Sequence, residues 1–247
     1  MNTKILHQKP SIFPSDKIIA GITLSNFESF PPFGFSINET DYFEKETVEN
    51  NRLLLANELS TNTSNFVFQK QIHSNKINIV HKCYPRVESD GMITNEKGIF
   101  LIISLADCCG ILMYDKKKEI IAALHSGWRG TEQGISKDAI KLLIDKYHSN
   151  PQDLLVWITP CAGAEDYEVG WDVAKFFPNN IIAQQNGKYL LDLKSVITKQ
   201  LVDKGVCKQN IQVSPESTIS NLNYHSFRRD KDQSGRMAAF IGMINHR

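Results

Sequence analysis

The chain lacks any apolar run near the roughly 20 residues that a membrane-spanning helix needs, and it has no internal repeat or low-complexity tract. Charge of one sign is not in excess: 28 basic against 27 acidic residues give a formal +1. That balance gives no electrostatic reason to expect nucleic-acid binding. Neither a Gly-rich dinucleotide fingerprint nor a P-loop is present. The five cysteines are odd in number and without paired spacing, which excludes a disulfide scaffold and suits a cytosolic protein. "MNTKILHQKPSIFPSD" has no apolar core and no small-residue cleavage site, so no signal peptide is expected there. These absences predict a soluble, cytoplasmic protein with no membrane or nucleic-acid partner.

What is present is ordinary for a globular chain: 247 residues, 41% hydrophobic and 22% charged. No linker is visible, so one domain over 1–247 is expected. "EKETVENNRLLLANELS" and "EQGISKDAIKLLIDKYH" have helical apolar spacing, the second with Ile135, Ala139, Ile140, Leu143 and Tyr147 on one face. "NFVFQKQI" alternates and reads as a strand running into His73. "GIFLIISLAD" and "KEIIAALHSG" read as buried strands; "GILMYD" follows the first as its continuation past a bend, and "DKKK" makes a hairpin turn. "DLLVWIT", "NIQVS" and "RMAAFIGMI" read as strands, "YEVGWDVAKFF" and "DLKSVITKQLVDKG" as helices. Strands and helices do not alternate strictly, so the fold class is α+β: a mixed, largely antiparallel sheet core with outer helices.

Three stretches place soft metal ligands beside glycine, arginine or acid: "QIHS" with His73, "LADCCG" with Cys108 and "LHSGWRG" with His125. Two imidazoles and a thiolate make three-quarters of a tetrahedral zinc shell, with one position open. Cys108 also reads as a nucleophile activated by a histidine, or simply as a buried thiol. His125 reads equally as a satisfied histidine at a strand end. Asp107 is a candidate to orient a ligating imidazole. Arg129, Arg228 and Arg229 are candidate anion clamps, although an Arg–Asp pair pinning a turn explains the last two as well. Tyr167 and Glu168 read as opening a helix. The remaining histidines, His7, His81, His148, His225 and His246, read as solvated or packing residues.

"QIHS", "SDGMIT", "ADC", "HSGWRG", "YEVG" and "FRRDKDQSGRMAAFI" occur in the order found in the laccase-domain, or multicopper polyphenol oxidase, family (YfiH-like). The resemblance runs from about residue 20 to the C-terminus. It implies a layered α+β sandwich similar to the catalytic domain of cytotoxic necrotizing factor. It also implies a metal set of His73, Cys108 and His125, with zinc as cofactor and copper as the other candidate. Arg52 matches an N-terminal family arginine, and Arg129, Arg228 and Arg229 fall on family arginines near the pocket; the resemblance makes all four candidates to bind substrate or phosphate. Family members are described as purine nucleoside phosphorylases that also deaminate adenosine, so nucleoside and phosphate are the implied partners. The chain departs from the family pattern at Ser74 (glycine), Leu105 (threonine), Ser126 (alanine), Gly110 (proline) and Thr159 (glycine).

Seven histidines with no His-x-His pair cannot build a blue-copper plus trinuclear-copper centre. A single copper at the Cys/His/His set, with phenol oxidation, remains an alternative. The "HxE…PCxxC" arrangement of common zinc deaminases is also missing, and Glu168 is the candidate proton carrier. Two further readings are a cysteine hydrolase that edits peptidoglycan precursors and a binding protein that senses metal or nucleotide.

Overall fold

A computed structural model of the protein describes residues 5–83 and 86–245. Its strands are β1 (His7–Gln8), β2 (Ile18–Thr23), β3 (Phe66–Val67), β4 (Ile77–Ile79), β5 (Gly91–Thr94), β6 (Phe100–Leu105) and β7 (Cys109–Asp115). They continue with β8 (Ile120–Ser126), β9 (Leu154–Ile158), β10 (Glu168–Val169), β11 (Ile181–Gln185), β12 (Lys188–Leu191), β13 (Ile211–Val213) and β14 (Met237–Met243). The helices are α1 (Lys45–Glu58), α2 (Trp128–Glu132), α3 (Ile135–Tyr147), α4 (Trp171–Ala174), α5 (Leu193–Asp203) and α6 (Phe227–Asp230).

Strand pleat sorts the side chains into layers. β6 sends Leu101, Ile103 and Leu105 to one side and Phe100 and Ile102 to the other, as alternation requires. β14 divides in the same way, with Met237, Ala239 and Ile241 opposite Ala238 and Phe240. In β7 and β8, Leu112, Tyr114, Ile121 and Ala123 share a core with the first β6 set, whereas Ile111, Met113, Ala122 and Leu124 face away. Two sheets are therefore stacked, one ordered β1-β2-β14-β6-β3 and the other β13-β9-β7-β8-β5-β4, with Trp157 buried between them. Leu55 and Ala56 of α1 cover the outer face of the first sheet. Ile135, Ala139, Ile140 and Leu143 of α3, with Ile197 and Leu201 of α5, cover the second. The result is a four-layer α/β/β/α sandwich plus a small β10-β12-β11 sheet. Among the described residues eight strand pairs are antiparallel and three parallel, so the sheets are largely antiparallel as expected.

The β7–β8 hairpin forms where "DKKK" predicts it. Asp115 Oδ1 accepts from the N–H groups of Lys117 and Lys118, both at 2.9 Å, and closes the turn. Three expectations need correction. "GILMYD" is not a continuation of the preceding strand: β6 and β7 belong to different sheets, and the link Ala106–Asp107–Cys108 crosses between them. A run of apolar residues cannot show which sheet each half joins. The strand expected from "NFVFQKQI" is only Phe66–Val67. The helix expected from "YEVGWDVAKFF" is confined to α4, because Glu168 and Val169 pair with β12.

Of the histidines read as packing residues, His225 is 1% exposed and wedged against Phe27 and Phe43; His246 lies outside the described residues. The Gly235 N–H donates to His225 Nδ1 (3.2 Å), so Nε2–H donates to the Phe35 carbonyl (2.6 Å) and the ring is held neutral. Burial pushes its pKa down to about 4. The unfolded chain then binds one more proton than the folded one between about pH 6.5 and 4. This contribution to stability is complete above about pH 6.5 and declines as pH falls toward 4, by roughly 3 kcal/mol in all. In His225→Gln, the unfolding free energy is expected to lose about one proton's worth of pH slope in that window. Unchanged slope in denaturant titrations at pH 7, 6, 5 and 4 would refute a neutral buried ring.

Candidate functional site

The sheet-crossing link delivers Cys108 to the end of the second sheet. β7 begins at the next residue and pairs Gly110 with His125 at the end of β8, which puts Cys108 beside that imidazole. Asp107 makes the crossing possible by adopting the left-handed region (φ 78°), an uncommon conformation for a non-glycine residue. His73 arrives from the first sheet's side on a turn of its own, also left-handed (φ 59°). The ligand atoms of His73, Cys108 and His125 all lie within 4.8 Å of one another. The two imidazoles meet edge to face at 4.8 Å between ring centres. Cys109, in contrast, points into the apolar layer under α3 and α5, its Sγ 2.7 Å from that of Cys161.

Asp90, the residue before β5, is fully buried beside this group. Its Oδ1 accepts from His125 Nδ1 (2.8 Å) and the His73 N–H (3.0 Å). Its Oδ2 accepts from the Ser74 N–H (2.7 Å) and Ser74 Oγ (2.8 Å). Burial opposes the Asp90 carboxylate, but His125 and Ser74 hold its pKa down at about 2. Burial likewise opposes the Cys108 thiolate, yet His125 and His73 bring it down to about 6. His125 responds in kind: burial works against its charge, and Cys108 and Asp90 still raise it to about 9.

Gly127 is needed at the next turn, since a Cβ there would stand 2.8 Å from Cys108 Sγ and 3.4 Å from His73 Cδ2. Gly110 and Thr159, where the resemblance implies proline and glycine, also fit each other. Gly110 donates its N–H to Thr159 Oγ1 (2.9 Å), and a side chain at 110 would run into that threonine.

The three ligands open into a cavity of about 580 Å³ that also has Arg86, Arg228 and Arg236 in its wall, with Tyr167 and Phe227. Volume and lining suit a small polar ligand with an aromatic part. The Arg228 guanidinium lies over Tyr167, and that of Arg236 over Phe227. A larger hollow of about 700 Å³ beside α5 contains none of the three ligands.

Other expected residues lie elsewhere. Arg52 gives its Nε and Nη2 to the Ile37 carbonyl and sits over Phe68. Arg129 stacks on Trp128 at 4.2 Å. Arg229 is bound to Asp230 and to the carbonyls of Thr218, Ile219 and Tyr224, so the turn-pinning explanation fits it. None of these three lines the cavity; Arg228 does. Asp107 does not orient an imidazole. Its carboxylate accepts from Thr218 Oγ1 and the Arg228 N–H, and Asp90 holds His125 instead. Glu168 pairs with Lys188 on the surface and opens a strand, not a helix. Sequence reasoning assigned no role to Asp90 and Arg236, although both sit in quoted motifs, "SDGMIT" and "SGRMAAFI"; Arg86 carries no motif at all.

A tetrahedral ion bound at about 2.0–2.3 Å spaces its donors by about 3.3–3.8 Å. Three donors within 4.8 Å need only small side-chain rotations to reach that spacing, and Asp90 already supplies the carboxylate–histidine support common at such centres. The residues therefore fit a metal ion. Among the described residues this is the one such group.

Residues 26–244 match the family described as multi-copper polyphenol oxidoreductase laccase. The chain belongs to this YfiH-like laccase family. Within the family, it is 32% identical to the purine nucleoside phosphorylase YlmD of Bacillus subtilis, over 92% of this chain and 89% of the relative. A purine nucleoside phosphorylase of Bacteroides thetaiotaomicron is 30% identical over 83% of the chain and 84% of the relative. The crystal structure of the Bacillus licheniformis hypothetical protein YfiH superposes with a TM-score of 0.86 at 30% identity, covering 92% of this chain and 93% of that one. YlmD from Geobacillus stearothermophilus gives 0.82 at 26% identity, covering 98% and 97%. No helix among the described residues is long and apolar enough to cross a membrane.

Proposed function

We propose that the protein is a zinc-dependent purine nucleoside enzyme. It cleaves adenosine, inosine and methylthioadenosine by phosphorolysis and deaminates adenosine, in the cytoplasm and on small molecules only. The observation that carries this reading is the meeting of His73, Cys108 and His125 with three arginines in the lining of one cavity. Relatives named purine nucleoside phosphorylases support it.

His73, Cys108 and His125 would hold the ion, which would supply Lewis acidity to the cavity. Arg228 and Arg236, with Arg86, offer fixed positive charge to a phosphate. In phosphorolysis a phosphate oxygen bonds to C1′ of the ribose as the C1′–N9 bond breaks and its electron pair leaves with the purine. The flat faces of Tyr167 and Phe227 receive the base. Burial pushes the Tyr167 pKa well up, so its hydroxyl stays protonated and can donate to the departing purine. That role replaces Glu168, whose carboxylate is engaged by Lys188. In deamination, water adds at C6 and ammonia leaves.

Zinc-loaded protein is expected to convert adenosine to adenine and ribose 1-phosphate only when phosphate is present, and to form inosine without it. No turnover of adenosine, inosine or methylthioadenosine under either condition refutes the reading. Gly127→Ala is expected to weaken zinc binding about tenfold or more with an unchanged melting temperature. The backbone there (φ −73°) accepts alanine, so the clash falls on the ligands alone. Equal zinc affinity in a chelator competition would contradict that placement.

The lowered Cys108 pKa beside His125, whose own pKa is raised, favours a second reading, a cysteine hydrolase acting on peptidoglycan precursors. A metal-free protein whose thiol alkylates rapidly near neutral pH would select it; stoichiometric zinc with slow alkylation selects the first. Copper can occupy the same three ligands and support phenol oxidation, as the family's name suggests.

A further inference from the structure

We propose that Asp90 is the positioning residue of this site, one carboxylate that places two of the three metal ligands at once. The inference rests on the metal reading above and extends it to a residue that touches neither substrate nor ion.

The two oxygens divide the work. Oδ1 accepts a hydrogen bond from His125 Nδ1–H and so turns Nε2, the other ring nitrogen, toward Cys108 and His73. The same oxygen accepts the His73 backbone N–H, and Oδ2 accepts from Ile72 (3.2 Å) and twice from Ser74. Those bonds hold residues 72–74 in the turn that includes the left-handed His73. A non-glycine residue in that region is retained where its surroundings over-determine it, and here a single side chain supplies much of the determination. Asp90 is itself fixed through its backbone. Its N–H donates to the Lys76 carbonyl (3.0 Å), and its carbonyl accepts from the His125 N–H (2.7 Å). The Ser74 hydroxyl, which the family's usual glycine lacks, gives this chain one extra bond to the carboxylate.

Geometry of this kind makes a specific demand on Asp90→Asn. The amide keeps one acceptor and turns an N–H₂ toward groups that are themselves donors. Either His125 loses its acceptor or the 72–74 turn loses its own. Zinc affinity, measured by chelator competition in the absence of any nucleoside, is expected to fall about 10–100-fold. Zinc-free variant and wild type should both unfold cooperatively. A second measurement uses the wild-type chain alone, so it stands even if the variant fails to fold. Nitrogen NMR should find His125 Nδ1 protonated in the metal-free and the zinc-loaded protein. An unprotonated Nδ1, or zinc affinity in Asp90→Asn equal to wild type, overturns the proposal. A wild-type chain that takes up zinc but turns over no nucleoside would refute the nucleoside reading and leave this one standing.

Discussion

Cys108→Ala is expected to abolish both adenine and inosine formation from adenosine, by at least about a thousandfold in kcat/KM. The reason is specific to this sulfur. Removing it leaves two imidazoles, and a pair of nitrogen ligands cannot reproduce a shell built around a thiolate. Zinc content of the purified protein should fall in parallel. The fold should survive, because Cys108 lies in a three-residue link at the cavity and only borders the core between the sheets. The adjacent cysteine provides the control. Cys109→Ala removes a buried thiol from the layer beneath α3 and α5, with a stability loss of about 1–2 kcal/mol. Its catalytic rates should remain within a few-fold of wild type. Activity retained by Cys108→Ala, or lost equally by Cys109→Ala, would contradict the assignment of the ligand.

Arg228→Met is expected to separate the two reactions. Phosphorolysis needs a bound phosphate and deamination does not. A charge-assisted hydrogen bond to an anion is worth about 1.5–3 kcal/mol, so the kcat/KM for phosphate should drop about 10–100-fold. Inosine formation without phosphate should change by no more than a few-fold. Methionine preserves apolar contact with Tyr167 while removing the charge that lies over its ring. The Arg228 N–H to Asp107 is a backbone bond and survives the change. Parallel losses in both reactions would mean that Arg228 shapes the cavity instead of holding phosphate.

The helices α1 and α3, the β7–β8 hairpin and the late strand β14 were legible from periodicity, because each buries a stripe or face whose spacing is local. Failures came where non-local pairing decides. "YEVGWDVAKFF" has residues suited to a helix, but β12 captures Glu168 and Val169 first. The arginines divide on the same ground. Arg229 and Arg228 are neighbours with identical side chains, yet one is consumed by Asp230 and three carbonyls while the other gives one nitrogen to the Glu168 carbonyl and lines the cavity.

The choice of His73, Cys108 and His125 as ligand candidates came from sequence alone, because soft ligands beside tight-turn residues stand out in any order along a chain. Family likeness was equally visible there, carried by six motifs in order. What only the tertiary structure decided was the convergence itself, together with the buried Asp90 that organises it and the arginines that share its cavity. One-dimensional spacing fixes which face of a strand a residue takes. It cannot fix that β6 and β7 part into different sheets at Asp107, and that parting is what brings the sulfur to the two rings.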